Sequence, residues 1–286
     1  MYWYDGKLID SEQIQLDISE PGLCYGASVF TTMRVYGYSL DHHSTCWSAH
    51  CDRLKSSLES FQWSQPNWHR LKQGALELLI YYPVLRMAVF PDGKEWIVGR
   101  LLPTDLEQRQ NRGITAWVAT DDLYRRELAQ HKTGNYLAAY LARQQALKFN
   151  AQEAIFIDRQ ENWLETSTGN LWGWRDGCWY TPLLGSGILP GIRRAYLLTA
   201  LKNNNIPVRE NIWTPDFVHS LEAIFYSNCV VETIPIVKVL YLDTSIDYSN
   251  SNHLRVNPSI ILSILLIASL GLLSTYDAIN VFISWI

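Results

Sequence analysis

The chain has 286 residues, 48% of them hydrophobic and 18% charged, with 12 Trp and 16 Tyr, so it can bury a substantial core and is not a disordered chain. Its formal net charge is −4 and it carries no basic block, which excludes bulk nucleic-acid binding and requires any phosphate to be held by a local arrangement. The five cysteines (Cys24, Cys46, Cys51, Cys178, Cys229) include no C-x-x-C pair and no Cys/His cluster at zinc spacing, so reduced thiols in a cytoplasmic protein without a bound metal are expected.

The opening residues, MYWYDGKLID, carry charge early and lack an apolar h-region, so a signal peptide is not expected. Residues 2–9 read as two short strands around Asp5-Gly6, a strong hairpin signal. Residues 29–36 alternate and end at Gly37, which places Thr31, Thr32 and Arg34 on a strand. From Trp47 onward, Cys51, Leu54, Leu58 and Phe61 recur at helical spacing, with Arg53 off the apolar stripe. Asn67 can cap a helix through residue 82, and residues 84–101 read as a hairpin turned by Pro91-Asp92-Gly93.

Around residues 103–113 (PTDLEQRQNRG) the chain turns polar and aperiodic, which places a linker between an α+β domain over 1–110 and a larger domain over 114–286. In the second part, residues 114–120 and 154–158 are expected strands, residues 136–149 a helix, and residues 171–180 a hairpin around Asp176-Gly177. The loop 185–191 (GSGILPG) leads into a helix near Ile192 and Arg193, whose first amides suit a phosphate; its glycine spacing is not that of a dinucleotide site. Residues 223–227 are an expected strand and 230–240 are largely extended. The stretch 241–286 is an atypical apolar tail that reads either as a packed helix or as a segment at the lower edge of membrane-spanning length.

One lysine stands apart. Lys132 lies between His131 and a Thr-Gly-Asn turn that opens a helix, where an amine can be fixed and partly desolvated, as a Schiff-base lysine requires. Six segments come in one order along the chain: 26–35 (GASVFTTMRV), 50–54 (HCDRL), 132–136 (KTGNY), 165–172 (ETSTGNLW), 187–194 (GILPGIRR) and 228–236 (NCVVETIPI). Together they resemble the fold-type IV pyridoxal phosphate enzymes, the group that holds 4-amino-4-deoxychorismate lyase and the branched-chain and D-amino acid aminotransferases. The resemblance implies a mixed α/β (α+β) two-domain architecture with pyridoxal 5'-phosphate between the domains, in a homodimer.

It also implies roles for residues. Lys132 is the Schiff-base lysine and proton shuttle, Glu165 the partner of the pyridine nitrogen, and Arg53 the phosphate-binding arginine. The amides of Ile192 and Arg193 add phosphate donors, as do Asn228 and Cys229 at a position where many relatives carry a Thr or Ser hydroxyl; a thiol is the weaker donor. Polar candidates for substrate contact are Tyr25, Thr31, Arg34 and Arg86, the last set in an otherwise apolar strand. Within the family, Thr31 in FTTMRV resembles the lyase, where aminotransferases usually carry Glu, and Asn228 at the head of NCVVETIPI is lyase-like too. Gly26-Ala27-Ser28 departs from the family's frequent Gly-Asp-Gly, and the tail departs from its usual charged ending, as a shifted reading frame would produce. The expected function is therefore a lyase giving p-aminobenzoate and pyruvate for folate biosynthesis, with an aminotransferase or a non-catalytic relative as alternatives.

Overall fold

The computed structural model describes residues 1–248. The tail readings from 249 onward, packed helix and membrane segment alike, lie outside the described residues. Among the described residues, no helix is long and apolar enough to cross a membrane. Two compact units form: Met1–Pro103 with His131–Tyr136, and Thr104–Gln130 with Leu137 onward.

In the first unit, β1 (Tyr2–Tyr4) and β2 (Lys7–Ile9) are joined by Asp5 and Gly6, both at positive φ, the geometry of the tight hairpin their sequence signals. A four-residue helix, α1 (Pro21–Cys24), precedes β3 (Val29–Arg34). Helices α2 (Trp47–Ser60) and α3 (Trp68–Leu78) follow, and Asn67 caps α3 by accepting from His69 N and Arg70 N. Then come β4 (Val84–Val89) and β5 (Glu95–Arg100). The sheet order is β2-β1-β5-β4-β3, antiparallel throughout. Strand alternation turns Met33, Leu85, Met87 and Ile97 into one core with Leu54, Leu58, Leu71 and Leu78 of the helices.

The second unit opens on α4 (Leu106–Arg112), where the sequence predicts a linker. Only Leu106 of this helix is buried, so no apolar stripe marks it; Arg109 instead pairs with Asp105 one turn back at 2.7 Å. The division between units falls at 103/104 rather than at 110–114, and residues 131–136 belong to the first unit. There follow β6 (Ile114–Ala119), α5 (Leu137–Lys148), β7 (Glu153–Ile157), β8 (Trp163–Thr166), β9 (Asn170–Arg175) and β10 (Cys178–Pro182). The unit continues with α6 (Ile192–Asn203), β11 (Val208–Asn211), α7 (Pro215–His219), β12 (Ala223–Asn228), β13 (Glu232–Tyr241) and β14 (Thr244–Asp247).

The strand order is β11-β10-β9-β12-β13-β6-β7-β8, and β8 pairs back onto β9 through Glu165 and Asn170, closing a ring. The stretch expected as the start of an apolar tail, 241–248, instead forms the β13–β14 hairpin and ends on buried Tyr248. A second core joins Trp172, Trp179 and Phe225 of this sheet to Leu197 and Leu201 of α6.

Candidate active site

Lys132 is positioned by a short extended run laid along β3. Phe30 N donates to Lys132 O at 2.8 Å, Gly134 N donates to Ser28 O at 2.6 Å, and Val29 bridges to Thr133. A Cβ on Gly134 would lie 2.5 Å from Gly26 O, so only glycine allows this approach. Alternation along the run separates its side chains. His131 turns to α2, where its Nδ1 lies 3.0 Å from Ser57 Oγ and its ring 4.7 Å from that of Phe61. Lys132 turns the other way: its Nζ donates to Tyr136 Oη at 2.8 Å and stands 4.8 Å from the Phe30 ring centroid and 4.7 Å from that of Tyr136.

Arg86 stacks on the same Phe30 ring, its guanidinium carbon 3.6 Å from the centroid. It sits in β4, an inner strand and not a sheet edge. Burial, followed by the nearby Arg100 charge, lowers its pKa to about 10, so it stays charged at neutral pH while poorly solvated. Such a cation favours an anionic ligand. Arg34, at the end of β3, covers the Tyr36 ring at 4.9 Å. Tyr25 is 81% exposed, just past α1.

Thr31 is fully buried. Its Oγ1 accepts from Arg53 Nη2 at 2.5 Å and lies 2.5 Å from His50 Nδ1. The helical spacing of α2 brings His50 and Arg53 to the same strand residue.

In the second unit, Glu165 lies within β8 and is almost fully buried. Its carboxylate pairs with Arg126 and accepts from Asn170 Nδ2 at 3.3 Å and Leu189 N at 3.2 Å. Sequence reasoning did not single out Arg126, which sits in a polar stretch without periodicity. The turn after Glu165 rests on another buried carboxylate missed in the sequence. Glu153 accepts from Ser167 Oγ at 2.5 Å and Thr168 Oγ1 at 2.7 Å, and burial raises its pKa. Asn228 Nδ2 donates to Thr168 O at 3.3 Å, while its Oδ1 accepts from Val230 N and Val231 N, so its side chain ties two turns together. Cys229 is partly exposed in the second of these turns.

Helix α6 begins at Ile192 with Gly191 as its cap, a residue with no side chain to accept from the first amides. A Cβ on Gly191 would stand 2.0 Å from Asn170 Oδ1, so the helix start is pressed against a residue that holds Glu165. Asn170 Nδ2 also donates to Leu189 O at 2.9 Å. Arg193 is buried, 3.7 Å from Glu232 Oε1, with its Nε outside any hydrogen bond.

Residues 28–239 match the amino-transferase class IV family, a span that holds Thr31, Arg53, Lys132, Glu165 and the α6 start. The chain belongs to this family. Members of the class IV family use pyridoxal phosphate. The chain is 25% identical over 262 residues to the branched-chain-amino-acid aminotransferase of Escherichia coli, covering 83% of this chain and 84% of that protein. A crystal structure of the E. coli enzyme matches with a TM-score of 0.76, at 22% identity over 95% of this chain and 93% of that one. A D-alanine aminotransferase of Staphylococcus aureus is 34% identical over 108 residues, a match that spans only 38% of either protein. The 4-amino-4-deoxychorismate lyase of Pseudomonas aeruginosa shares the fold with a TM-score of 0.75, at 19% identity over 93% of this chain and 98% of that one.

The donor set of this class IV chain fits pyridoxal phosphate. The group combines an aldehyde, a basic ring nitrogen and a phosphate. The chain offers an amine among aromatic rings at Lys132, a buried carboxylate at Glu165, a guanidinium at Arg53 and a helix start without a side-chain cap at Ile192.

Proposed function

We propose that this chain is a pyridoxal phosphate-dependent 4-amino-4-deoxychorismate lyase, giving p-aminobenzoate and pyruvate. The observation that carries the choice within the family is Thr31, a hydroxyl held between His50 and Arg53 at the position where aminotransferases usually carry a carboxylate. The fold shared with the P. aeruginosa lyase is consistent with it.

Pyridoxal phosphate, when bound, supplies a ring that accepts electrons from the substrate carbon. Lys132 would hold the cofactor through its amine and would serve as the base that takes the proton from the amine-bearing carbon of the substrate. Its hydrogen bond to Tyr136 Oη gives the amine a fixed direction and a neighbour with which to exchange protons. Glu165, oriented by Arg126, Asn170 and Leu189 N, keeps the ring nitrogen protonated. Arg53 and the amides of Ile192 and Arg193 bind the phosphate. Arg86, stacked on the Phe30 ring near which Lys132 also lies, would bind the substrate carboxylate. Loss of the enolpyruvyl group then yields an aromatic product, which drives the last step. A homodimer belongs to the same proposal.

A second reading, transamination, is favoured by sequence relatives such as a branched-chain-amino-acid and a D-alanine aminotransferase. Purified protein loaded with pyridoxal phosphate and given 4-amino-4-deoxychorismate separates the two. Formation of p-aminobenzoate supports the lyase. No product, together with bleaching of the cofactor absorbance by an amino acid and its reversal by 2-oxoglutarate, moves the assignment to transamination.

A further inference from the structure

We infer that Thr31 and His50 are positioning residues that aim the Arg53 guanidinium at a ligand phosphate and thereby set the preference for a phosphorylated ligand. The inference rests on the reading of Arg53 as the phosphate-binding arginine.

A guanidinium only donates, so at 2.5 Å Arg53 Nη2 uses Thr31 Oγ1 as its acceptor. The same hydroxyl lies 2.5 Å from His50 Nδ1, donating or accepting there according to the imidazole tautomer. Thr31 and His50 are both wholly buried, so water cannot replace either partner. Burial together with the Arg53 and Lys132 charges favours the neutral imidazole at His50.

The three residues come from elements that cannot shift independently. Thr31 is one position from Phe30, whose amide is bonded to Lys132 O, while His50 and Arg53 sit one turn apart on α2. Residue type at position 31 then has a direct consequence. A carboxylate there would meet Arg53 as an ion pair, whereas threonine accepts its hydrogen bond and brings no charge of its own.

The test compares the affinity of the full-length protein for pyridoxal phosphate with its affinity for pyridoxal, by absorbance titration. Thr31→Val removes both the acceptor and the proton while keeping the shape. It should weaken pyridoxal phosphate about tenfold, the worth of one charge-assisted hydrogen bond, and leave pyridoxal unchanged. Thr31→Ser should restore the wild-type ratio. An unchanged ratio in Thr31→Val, whether neither ligand is weakened or both are weakened equally as a purely structural role would do, would overturn the inference. If Thr31→Val does not fold, Thr31→Cys, a far poorer acceptor, gives the same readout. Arg53→Gln separates the two levels of argument. If it keeps the phosphate preference, the phosphate assignment of Arg53 fails; if it loses the preference while Thr31→Val keeps it, only the positioning inference fails.

Discussion

Arg126 closes on the Glu165 carboxylate with both side chains nearly out of water, at 11% and 5% exposure. The buried carboxylate is met on several sides: Arg126 supplies the opposite charge, and Asn170 Nδ2 and Leu189 N take further lone pairs. Removing one partner leaves an uncompensated buried charge. Arg126→Met should destabilise the protein by about 3–5 kcal/mol, and by much less when Glu165 is already Gln. Urea unfolding of the four proteins in this double-mutant cycle measures the coupling; additive effects would show that the contact carries little energy.

Lys132 lies against the Phe30–Tyr136 ring pair. Borohydride reduction of the loaded wild-type protein should fix one cofactor mass on the peptide containing Lys132, as read by mass spectrometry. Lys132→Ala should show no such adduct and lose at least about 10²-fold in rate. An adduct on another lysine would remove Lys132 from its assigned role.

Arg86 is expected to act on substrate and not on cofactor. Arg86→Gln keeps much of the stacking on Phe30 but loses the charge. The KM for a carboxylate substrate should rise about tenfold to a hundredfold, the range for a lost hydrogen bond to a charged group. Affinity for pyridoxal phosphate should not change, and a parallel loss of both would place Arg86 in the cofactor site instead.

Burial, and after it the Arg53 and Lys132 charges, holds His50 well below its ordinary pKa of 6.5. As the pH falls below about 6.5, the unfolded chain binds a proton at His50 that the folded protein does not, so stability is lost toward acid. The slope from this one group approaches about 1.4 kcal/mol per pH unit. His50→Asn keeps an acceptor near the Nδ1 position and cannot titrate. Urea unfolding between about pH 7 and pH 5 should therefore show a shallower decline in the variant, and equal slopes would mean that His50 takes up its proton in the folded state.

Gly191 and Gly185 lie in one loop and should respond oppositely to alanine. A Cβ at Gly191 meets Asn170 Oδ1 at 2.0 Å, and Asn170 is fixed by bonds to Glu165 and Leu189 O, whereas a Cβ at Gly185 meets nothing within 4 Å. Gly191→Ala should cost about 1–3 kcal/mol as buried hydrogen bonds are broken, with Gly185→Ala close to neutral by the same thermal or urea unfolding. Equal effects would show that Asn170 can move aside.

Much of the fold was legible because its signals are local. The Asp5-Gly6 hairpin, the Asn67 cap, the stripe Leu54-Leu58 and the alternation around Met33 each depend on neighbours within one turn or one strand pair, and each forms as the pattern implies. The helix α4 was not legible, because one buried leucine makes no period. The ring closure through β8 and β9 was not legible either, since it rests on pairing between strands whose hydrophobicity looks the same on any order.

For the site, the sequence by itself determined which residue types are available: an amine at 132, a carboxylate at 165, a guanidinium at 53 and a glycine-led helix start at 192. Only the tertiary structure decided their surroundings. Alternation sends His131 to Ser57 and Lys132 to Phe30, strand and helix packing brings buried Thr31 within hydrogen-bond reach of Arg53 and His50, and Arg126 and Glu153 enter the second unit's buried polar contacts from segments with no motif. The physical reason is that a residue's chemistry is written in its side chain, whereas its charge state and direction come from desolvation and from partners brought near by strand pairing over long sequence distances.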